Sequence, residues 1–233
     1  MNKPTRLILS AAVVVGLGVT VGPWAYINFI KDEAPAALDI DSSTNTTIDS
    51  VDTIAAPLTD TSGDWQVSPN TISVVGYRVK EILFGQATEG VGRTKDVQAS
   101  LTISDNAVTT ASFTVQMGTL MSDAAKRDGQ FNGRIMDVAT HPTATFSLTK
   151  PITLPANAVS GDVISTDATG ELTLRGTTKT VTFPVEAQVQ GSTFTVVGNI
   201  TIVFSEWSIP EPGLPGISVD PQGLLEFALV FTR

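Results

Sequence analysis

The amino-acid sequence predicts an all-β domain of about eight antiparallel strands with one short helix, preceded by an N-terminal transmembrane helix. Three observations lead to this prediction. Apolar and polar residues alternate in several segments after residue 64, as a sheet with one dry face requires. A charged, helix-compatible stretch from Ser122 to Phe146 interrupts these segments. An uncharged apolar run from Leu7 to Ile30 lies near the N-terminus.

The run from Leu7 to Ile30 is long enough to cross a membrane, since it would span about 36 Å as a helix and a bilayer core is about 30 Å thick. Lys3 and Arg6 precede the run, and this excess of positive charge places the N-terminus in the cytoplasm. Residues 1–30 are therefore predicted to form a cytoplasmic tip and a single-pass anchor in the cell membrane, with the C-terminal domain extracytoplasmic. The alternative is a signal peptide cleaved near Ala36, which would give a secreted protein.

The next segment, residues 31–63, is predicted to be an acidic, disordered tether. It contains one lysine against seven acidic residues, and serine, threonine, alanine and proline make up most of the rest. A flexible coil of this length has a root-mean-square span of about 30 Å. We therefore expect the folded domain to stay within reach of the membrane surface.

The folded domain is predicted to occupy residues 64–233, and composition limits its partners. The whole chain has a formal net charge of −9, and the domain shows no basic stripe, which argues against a nucleic-acid partner. With no cysteine and one histidine, the chain offers no recognisable set of metal ligands and no disulfide. No cofactor is predicted.

Alternation is clearest in five segments of this domain. Their apolar sets are Val97, Ala99, Leu101 and Ile103; Ala111, Phe113, Val115 and Met117; Val181, Phe183, Val185, Ala187 and Val189; Phe194, Val196, Gly198, Ile200, Ile202 and Phe204; and Leu225, Phe227, Leu229 and Phe231. Such a pattern fits a sandwich or a closed antiparallel barrel. The interior of an eight-stranded barrel is either filled by side chains or holds one small ligand, and periodicity leaves both open.

The helix is predicted within the stretch from Ser122 to Phe146. Asp123 is a suitable N-cap ahead of an alanine-rich first turn. Pro142 ends whatever runs into it, because the residue before a proline is driven toward extended geometry.

No convincing active site is found in the sequence. It lacks a cysteine, a GxSxG nucleophile elbow, an HExxH zinc motif and a P-loop. The one histidine, His141, lies in a turn before Pro142 and has no second histidine with which to share a metal. We expect a binding protein and not an enzyme.

Several blocks in the domain resemble the YceI-like family of lipid- and polyisoprenoid-binding barrels. They are the pair Arg127-Asp128, the sequence HPTATF from His141, and GELTLRGTTKTVTF from Gly170, in the family's order and spacing. The sequences VGYRVKE, VGRT and SIPEP are similar to a membrane-anchored actinobacterial form. The resemblance extends from Trp65 to Phe231. It implies a lipocalin-like barrel whose long apolar cavity takes an extended lipid or isoprenoid chain.

Two sets of candidate binding residues follow from this resemblance. The candidates for lining an apolar tunnel or its mouth, with ordinary core packing as the alternative, are Tyr77, Phe84, Phe113, Val115, Met117, Phe131, Met136, Phe146 and Trp207. The candidates for contacting an anionic head group are Arg78, Arg93 and Arg127. For Arg127 we favour an internal salt bridge that holds the helix to the barrel.

The predicted function is binding of the apolar chain of a polyisoprenoid, a fatty-acyl lipid or another amphiphile, for carriage or storage at the cell envelope. Each buried isoprene unit would contribute roughly 3 kcal/mol relative to water, but little relative to a bilayer. One alternative is a non-binding structural or interaction domain of the envelope. A lipid-acting enzyme is a further alternative, for which His141 is the one candidate base.

Overall fold

The computed structural model describes residues 33–40, 60–67, 72–155, 158, 161–212 and 216–233. Within these ranges twelve strands form one sheet. The strands are β1 Gly63–Val67, β2 Val74–Leu83, β3 Gln86–Thr94, β4 Val97–Ser104, β5 Ala107–Gln116, β6 Met121–Ser122, β7 Thr143–Leu148, β8 Ile152–Thr153, β9 Ile164–Leu174, β10 Thr177–Gln190, β11 Thr193–Val203 and β12 Ile217–Thr232. Helix α1 is Ala125–Gln130 and continues as a π-helical turn, Phe131–Ile135; short 3-10 turns cover Met117–Thr119 and Phe204–Trp207.

Eight of these strands close into an antiparallel barrel. The ring runs β1, β4, β5, β7, β9, β10, β11, β12, and β1 pairs back onto the end of β12. The earlier part of β12 pairs with β2, so β2, β3 and β6 extend the wall at one end of the ring. The predicted all-β barrel with one short helix is confirmed, and the sandwich is excluded.

Among the residues that the structure describes, no helix has both the length and the apolar character needed to cross a bilayer. The predicted anchor, residues 1–30, lies outside the described ranges.

Four phenylalanines form a layer across the interior of the barrel. Phe113 stacks on Phe146 at 5.3 Å, Phe146 meets Phe183 edge-on at 5.4 Å, and Phe227 completes the circuit at 6.0 Å from Phe183 and 5.8 Å from Phe113. These four rings come from β5, β7, β10 and β12. We call this set, Phe113, Phe146, Phe183 and Phe227, the aromatic layer.

Glycines on the intervening strands make room for the aromatic layer. A Cβ atom on Gly170 of β9 would lie 2.4 Å from Cζ of Phe146, and one on Gly198 of β11 would lie 2.7 Å from Cζ of Phe227. Neither distance is compatible with a side chain. On one side of the aromatic layer the barrel is filled by Trp65, which is 0% exposed, and by Phe194, whose ring centroid lies 5.9 Å from that of Trp65.

The helix differs from its prediction at both ends. Asp123 does not cap it: the residue before the helix is Ala124, and Asp123 instead pairs with Arg127 one turn later. The helical geometry stops at Ile135, well before Pro142, because Asp137 adopts a left-handed conformation with φ of 47°. Asp137 still donates its backbone N–H to the carbonyl of Gly133, which completes the last turn.

Residues 33–40 contact the outer wall of the barrel, in contrast to the solvated tether predicted there. The Pro35 carbonyl accepts a 2.7 Å hydrogen bond from Nη2 of Arg78, and the Ala36 carbonyl accepts one from Arg93. Ile40 is buried and, with Leu38, packs on residues of β11 and β12. The rest of the predicted tether also contains leucine and isoleucine, at Ile48, Ile54 and Leu58, so composition alone did not single out this segment.

The predicted tether also extends one residue too far, since Gly63 already belongs to β1. The Arg233 side chain donates hydrogen bonds to the carbonyls of Ser62 and Asp60, and these bonds fix the chain just before that strand. The remainder of the predicted tether, 31–32 and 41–59, lies outside the described residues.

Candidate ligand cavity

A cavity of about 390 Å³ occupies the half of the barrel on the other side of the aromatic layer. Strands β2, β5, β7, β9, β11 and β12 supply its walls, and α1 with its π-helical turn covers one side. The lining is almost wholly apolar; among its members are Val75, Val79, Leu83, Leu120, Ile135, Ala144, Leu174, Ile202, Phe204, Ile209 and Leu225. The volume falls within the roughly 300–1,000 Å³ that is typical of small-molecule sites.

Five of the predicted tunnel residues line this cavity: Tyr77, Val115, Met117, Phe131 and Met136. They come from β2, from β5 and the 3-10 turn after it, and from the helical segment, which lie far apart in the sequence. Tyr77 and Phe131 stack with their ring centroids 4.9 Å apart, so the helical segment is held to β2 by aromatic contact.

The other four predicted tunnel residues lie elsewhere. Phe113 and Phe146 belong to the aromatic layer, so they are part of the packed core and do not line the cavity. Trp207 is buried in the 3-10 turn, with Nζ of Lys179 5.9 Å from its ring. Phe84 sits in the β2–β3 turn with φ of 50° and is 56% exposed. The long tunnel expected from the family resemblance is therefore limited to one half of the barrel.

One carboxylate, Glu81, points into the cavity wall and was not predicted from the sequence. Its Oε1 accepts a 3.0 Å ion-paired hydrogen bond from Nη2 of Arg127, and the Glu81 side chain is 7% exposed. A signal for Glu81 was present, because it continues the inward set Val75, Tyr77 and Val79 of β2.

Arg127 links the helix to the barrel, as its salt-bridge interpretation anticipated. It pairs with Glu81 on β2 and with Asp123 in its own helix, and it also lines the cavity. Burial alone would lower the pKa of Arg127, but the nearby Glu81 and Asp123 carboxylates outweigh it, and the pKa is raised. Asp128, the other half of the RD pair, accepts hydrogen bonds from the backbone N–H and hydroxyl of Ser122. The pair therefore holds α1 to β2 through Arg127 and to Ser122 of β6 through Asp128.

The other two head-group candidates lie on the outer wall, away from the cavity. Arg78 donates to Glu89 at 2.6 Å and to Glu226 at 3.1 Å, and Arg93 donates to Glu226 at 2.8 Å. Burial lowers the pKa of Arg78, but hydrogen bonds and charge from Glu89 and Glu226 raise it above its usual value. Adjacent strand residues face opposite sides, so Arg78 could not share the inward face of Tyr77. We call Arg78, Arg93, Glu89 and Glu226 the outer ion network.

The phenol of Tyr77 gives a pH-dependent test of this geometry. Burial raises the pKa of Tyr77 to about 12, against an ordinary value of 10.0, although the charge of Arg127 opposes the shift. Folding therefore favours the protonated phenol. This contribution is complete below pH 10 and is lost as the pH rises to 12, a difference of about 2–3 kcal/mol.

We expect the wild-type protein to lose that much unfolding free energy between pH 9 and pH 12 relative to the Tyr77→Phe variant. Urea unfolding at a series of pH values measures both, and subtracting the variant removes the effect of other groups that titrate there. Parallel curves for the two proteins would show that the Tyr77 phenol ionises as freely as in water.

Where the structure describes the chain, it brings no three histidine, cysteine, aspartate or glutamate side chains together as a metal site. The cavity instead combines apolar walls with one partly buried ion pair, and it opens beside its more exposed lining residues, Lys126, Gln130, Pro212 and Ile217. Together with the closed sheet, these features place the protein among the eight-stranded barrels whose interior has room for one small ligand.

Comparison with known proteins identifies the family. Residues 65–231 match the YceI-like domain, and the chain belongs to that family. No curated protein shows significant similarity to it.

Several solved structures share the fold. A polyisoprenoid-binding domain from Saccharophagus degradans, implicated in plant cell wall breakdown, is 16% identical with a TM-score of 0.56, over 72% of this chain and 98% of that one. BcnA of Burkholderia cenocepacia is 23% identical with a TM-score of 0.51, over 67% and 95% of the two chains. A mutant Campylobacter jejuni YceI protein with a monobromobimane guest is 15% identical with a TM-score of 0.50, over 61% and 84%.

Proposed function

We propose that this protein binds one end of the apolar chain of a polyisoprenoid, or of a similar amphiphilic lipid, in the cavity above the aromatic layer. The observation that carries the proposal is the cavity itself, because about 390 Å³ of apolar space remains in a barrel whose other half is packed solid. The YceI-like family and the similarity to a polyisoprenoid-binding domain support a lipid as the ligand.

The size of the cavity limits how the ligand is held. A chain of many isoprene units exceeds the space above the aromatic layer, so only its terminal part is buried and the rest leaves through the mouth. Each buried isoprene unit contributes roughly 3 kcal/mol relative to water, and nearly nothing relative to a bilayer. Such a balance suits reversible carriage or storage at the outer face of the cell membrane and requires no catalytic step.

Lipid analysis and probe titration test this function. Full-length protein is purified, extracted with organic solvent, and the extract is examined by mass spectrometry. In parallel, the protein is titrated with fluorescent prenyl and fatty-acyl probes of several lengths. We expect a co-purified lipid, or saturable binding whose affinity rises with chain length and then levels off once the cavity is full. An empty extract together with no saturable binding would leave a structural domain as the function.

A further inference from the structure

The contacts of residues 33–40 show which way this segment runs along the barrel wall. The earlier residue, Pro35, is bound by Arg78, which pairs with Leu224 of β12. The later residue, Ile40, packs on Ala228, four residues farther along β12. Because β12 begins at the cavity end, where Ile217 and Val219 line the cavity, the segment runs away from that end. Glu33 is therefore at the end of the segment that lies nearer the cavity.

The predicted anchor lies very close to this point in the sequence. Ile30 ends the apolar run, and five residues of fully extended chain from there to Pro35 span at most about 17 Å. The stretch from 41 to 59 adds nothing to this reach, because Ile40 and Asp60 at its two ends are both held near the barrel wall. An anchor that ends at Ile30 would thus hold the barrel at close range by its cavity end.

Exposed apolar side chains lie at that same end. Ile82 and Phe84 are 50% and 56% exposed, and they flank Leu83, which lines the cavity. Phe84 is fixed in place, since its backbone N–H donates to the carbonyl of Gly216 at 2.8 Å. By contrast, Val163 is 45% exposed just before β9, whose other end, Leu174, lines the cavity. Val163 therefore marks the opposite end of the barrel.

From these three observations we propose that the cavity end faces the bilayer, with Ile82 and Phe84 in contact with the lipid surface. The docked segment 33–40 sets this orientation by linking the predicted anchor to the barrel wall. This inference rests on the proposed function, because the orientation matters only if the cavity binds an apolar chain. Such a chain can then pass between bilayer and cavity without crossing open water, which removes the large free-energy cost of exposing the chain to water.

Site-specific fluorescence tests the orientation, and the absence of native cysteine makes the labelling unambiguous. The full-length variants Phe84→Cys and Val163→Cys are each labelled with nitrobenzoxadiazole and reconstituted in phosphatidylcholine–phosphatidylglycerol vesicles that contain nitroxide-labelled lipid. We expect strong quenching and a blue-shifted emission at position 84, and no quenching above background at position 163. Ile82→Cys repeats the measurement at a second site should the label at position 84 disturb the turn.

A further pair of variants tests the role of the docked segment. Leu38→Asp combined with Ile40→Asp removes its apolar contacts, and this change in both the Phe84→Cys and the Val163→Cys backgrounds should abolish the difference in quenching between the two ends. Equal quenching at positions 84 and 163, or quenching only at 163, would overturn the proposed orientation. A difference that survives the double substitution would overturn the role of the segment.

These outcomes are separable from failure of the proposed function. Quenching reports contact with the vesicle, whether or not the cavity holds a ligand, and prenyl-probe titration of the same preparations reports binding. Saturable binding without asymmetric quenching would contradict the proposed orientation and leave the proposed function in place. Asymmetric quenching without binding would remove the proposed lipid ligand and leave the membrane-facing surface in place.

Discussion

Replacing Ala144 with phenylalanine should weaken binding of a prenyl probe about 100-fold and leave the barrel folded. Ala144 on β7 lines the cavity beside Val115, its pairing partner on β5, so a phenyl ring there would fill space that the ligand needs. Displacing one isoprene unit costs about 3 kcal/mol of burial, which corresponds to a loss of affinity of about 100-fold. Titration with a fluorescent prenyl probe measures this loss, and a thermal melt of the same sample checks the fold.

Ala187→Phe is the matched control for that change. Ala187 is also a buried alanine of the barrel interior, but it does not line the cavity, and it pairs with Ile164 at the opposite end of β9. Overpacking costs typically about 1–3 kcal/mol of stability at either position. Equal losses of affinity in the two variants would mean that the ligand is held somewhere other than this cavity.

Replacing Glu226 with glutamine should be among the most destabilising substitutions on the outer wall. The Glu226 carboxylate is 5% exposed and is bonded to the guanidinium groups of both Arg78 and Arg93. Without it, two adjacent cations keep only Glu89 as an anionic partner within the outer ion network. Breaking a buried pair in this way costs about 3–5 kcal/mol, and we expect about 3 kcal/mol because Arg93 is partly exposed.

Urea unfolding of Glu226→Gln measures this cost. Glu186→Gln, on an exposed outward position of β10, is the control and should change stability by less than about 0.5 kcal/mol. A Glu226→Gln variant as stable as the control would show that water or small rearrangements replace the lost carboxylate at little cost. Such a result would also weaken the role of the network in holding Arg78 and Arg93 against the carbonyls of Pro35 and Ala36.

Alternation in the sequence predicted the inward face of five strands, β4, β5, β10, β11 and β12. It places Phe113, Val115 and Ala111 on one inward face of β5, and all three do point into the barrel. Strict use of the same rule would have removed Arg78 from the head-group candidates, because Arg78 is adjacent to the inward-facing Tyr77. It would also have added Glu81 to the cavity-lining residues, because Glu81 is four residues after Tyr77 on the same strand. Those two errors came from selecting residues by chemical type ahead of strand position.

Alternation does not predict the level of a residue along the barrel axis. Phe113 and Val115 share a face and are two residues apart, yet one lies in the aromatic layer and the other lines the cavity. The level depends on strand register, such as the pairing of Phe113 with Phe146, which is fixed by contacts between distant parts of the chain. The docking of residues 33–40 was missed because it also depends on tertiary contacts.

The aromatic layer divides the interior into two compartments that differ in how well they tolerate substitutions. Below it, Trp65 and Phe194 belong to a filled core, where most changes of volume would lower the stability of the whole domain. Above it, a wall residue such as Ile202 or Leu225 borders empty space and can change size with less disturbance to its neighbours. Substitution of these wall residues can therefore change the shape of the cavity while the packed half keeps the barrel stable.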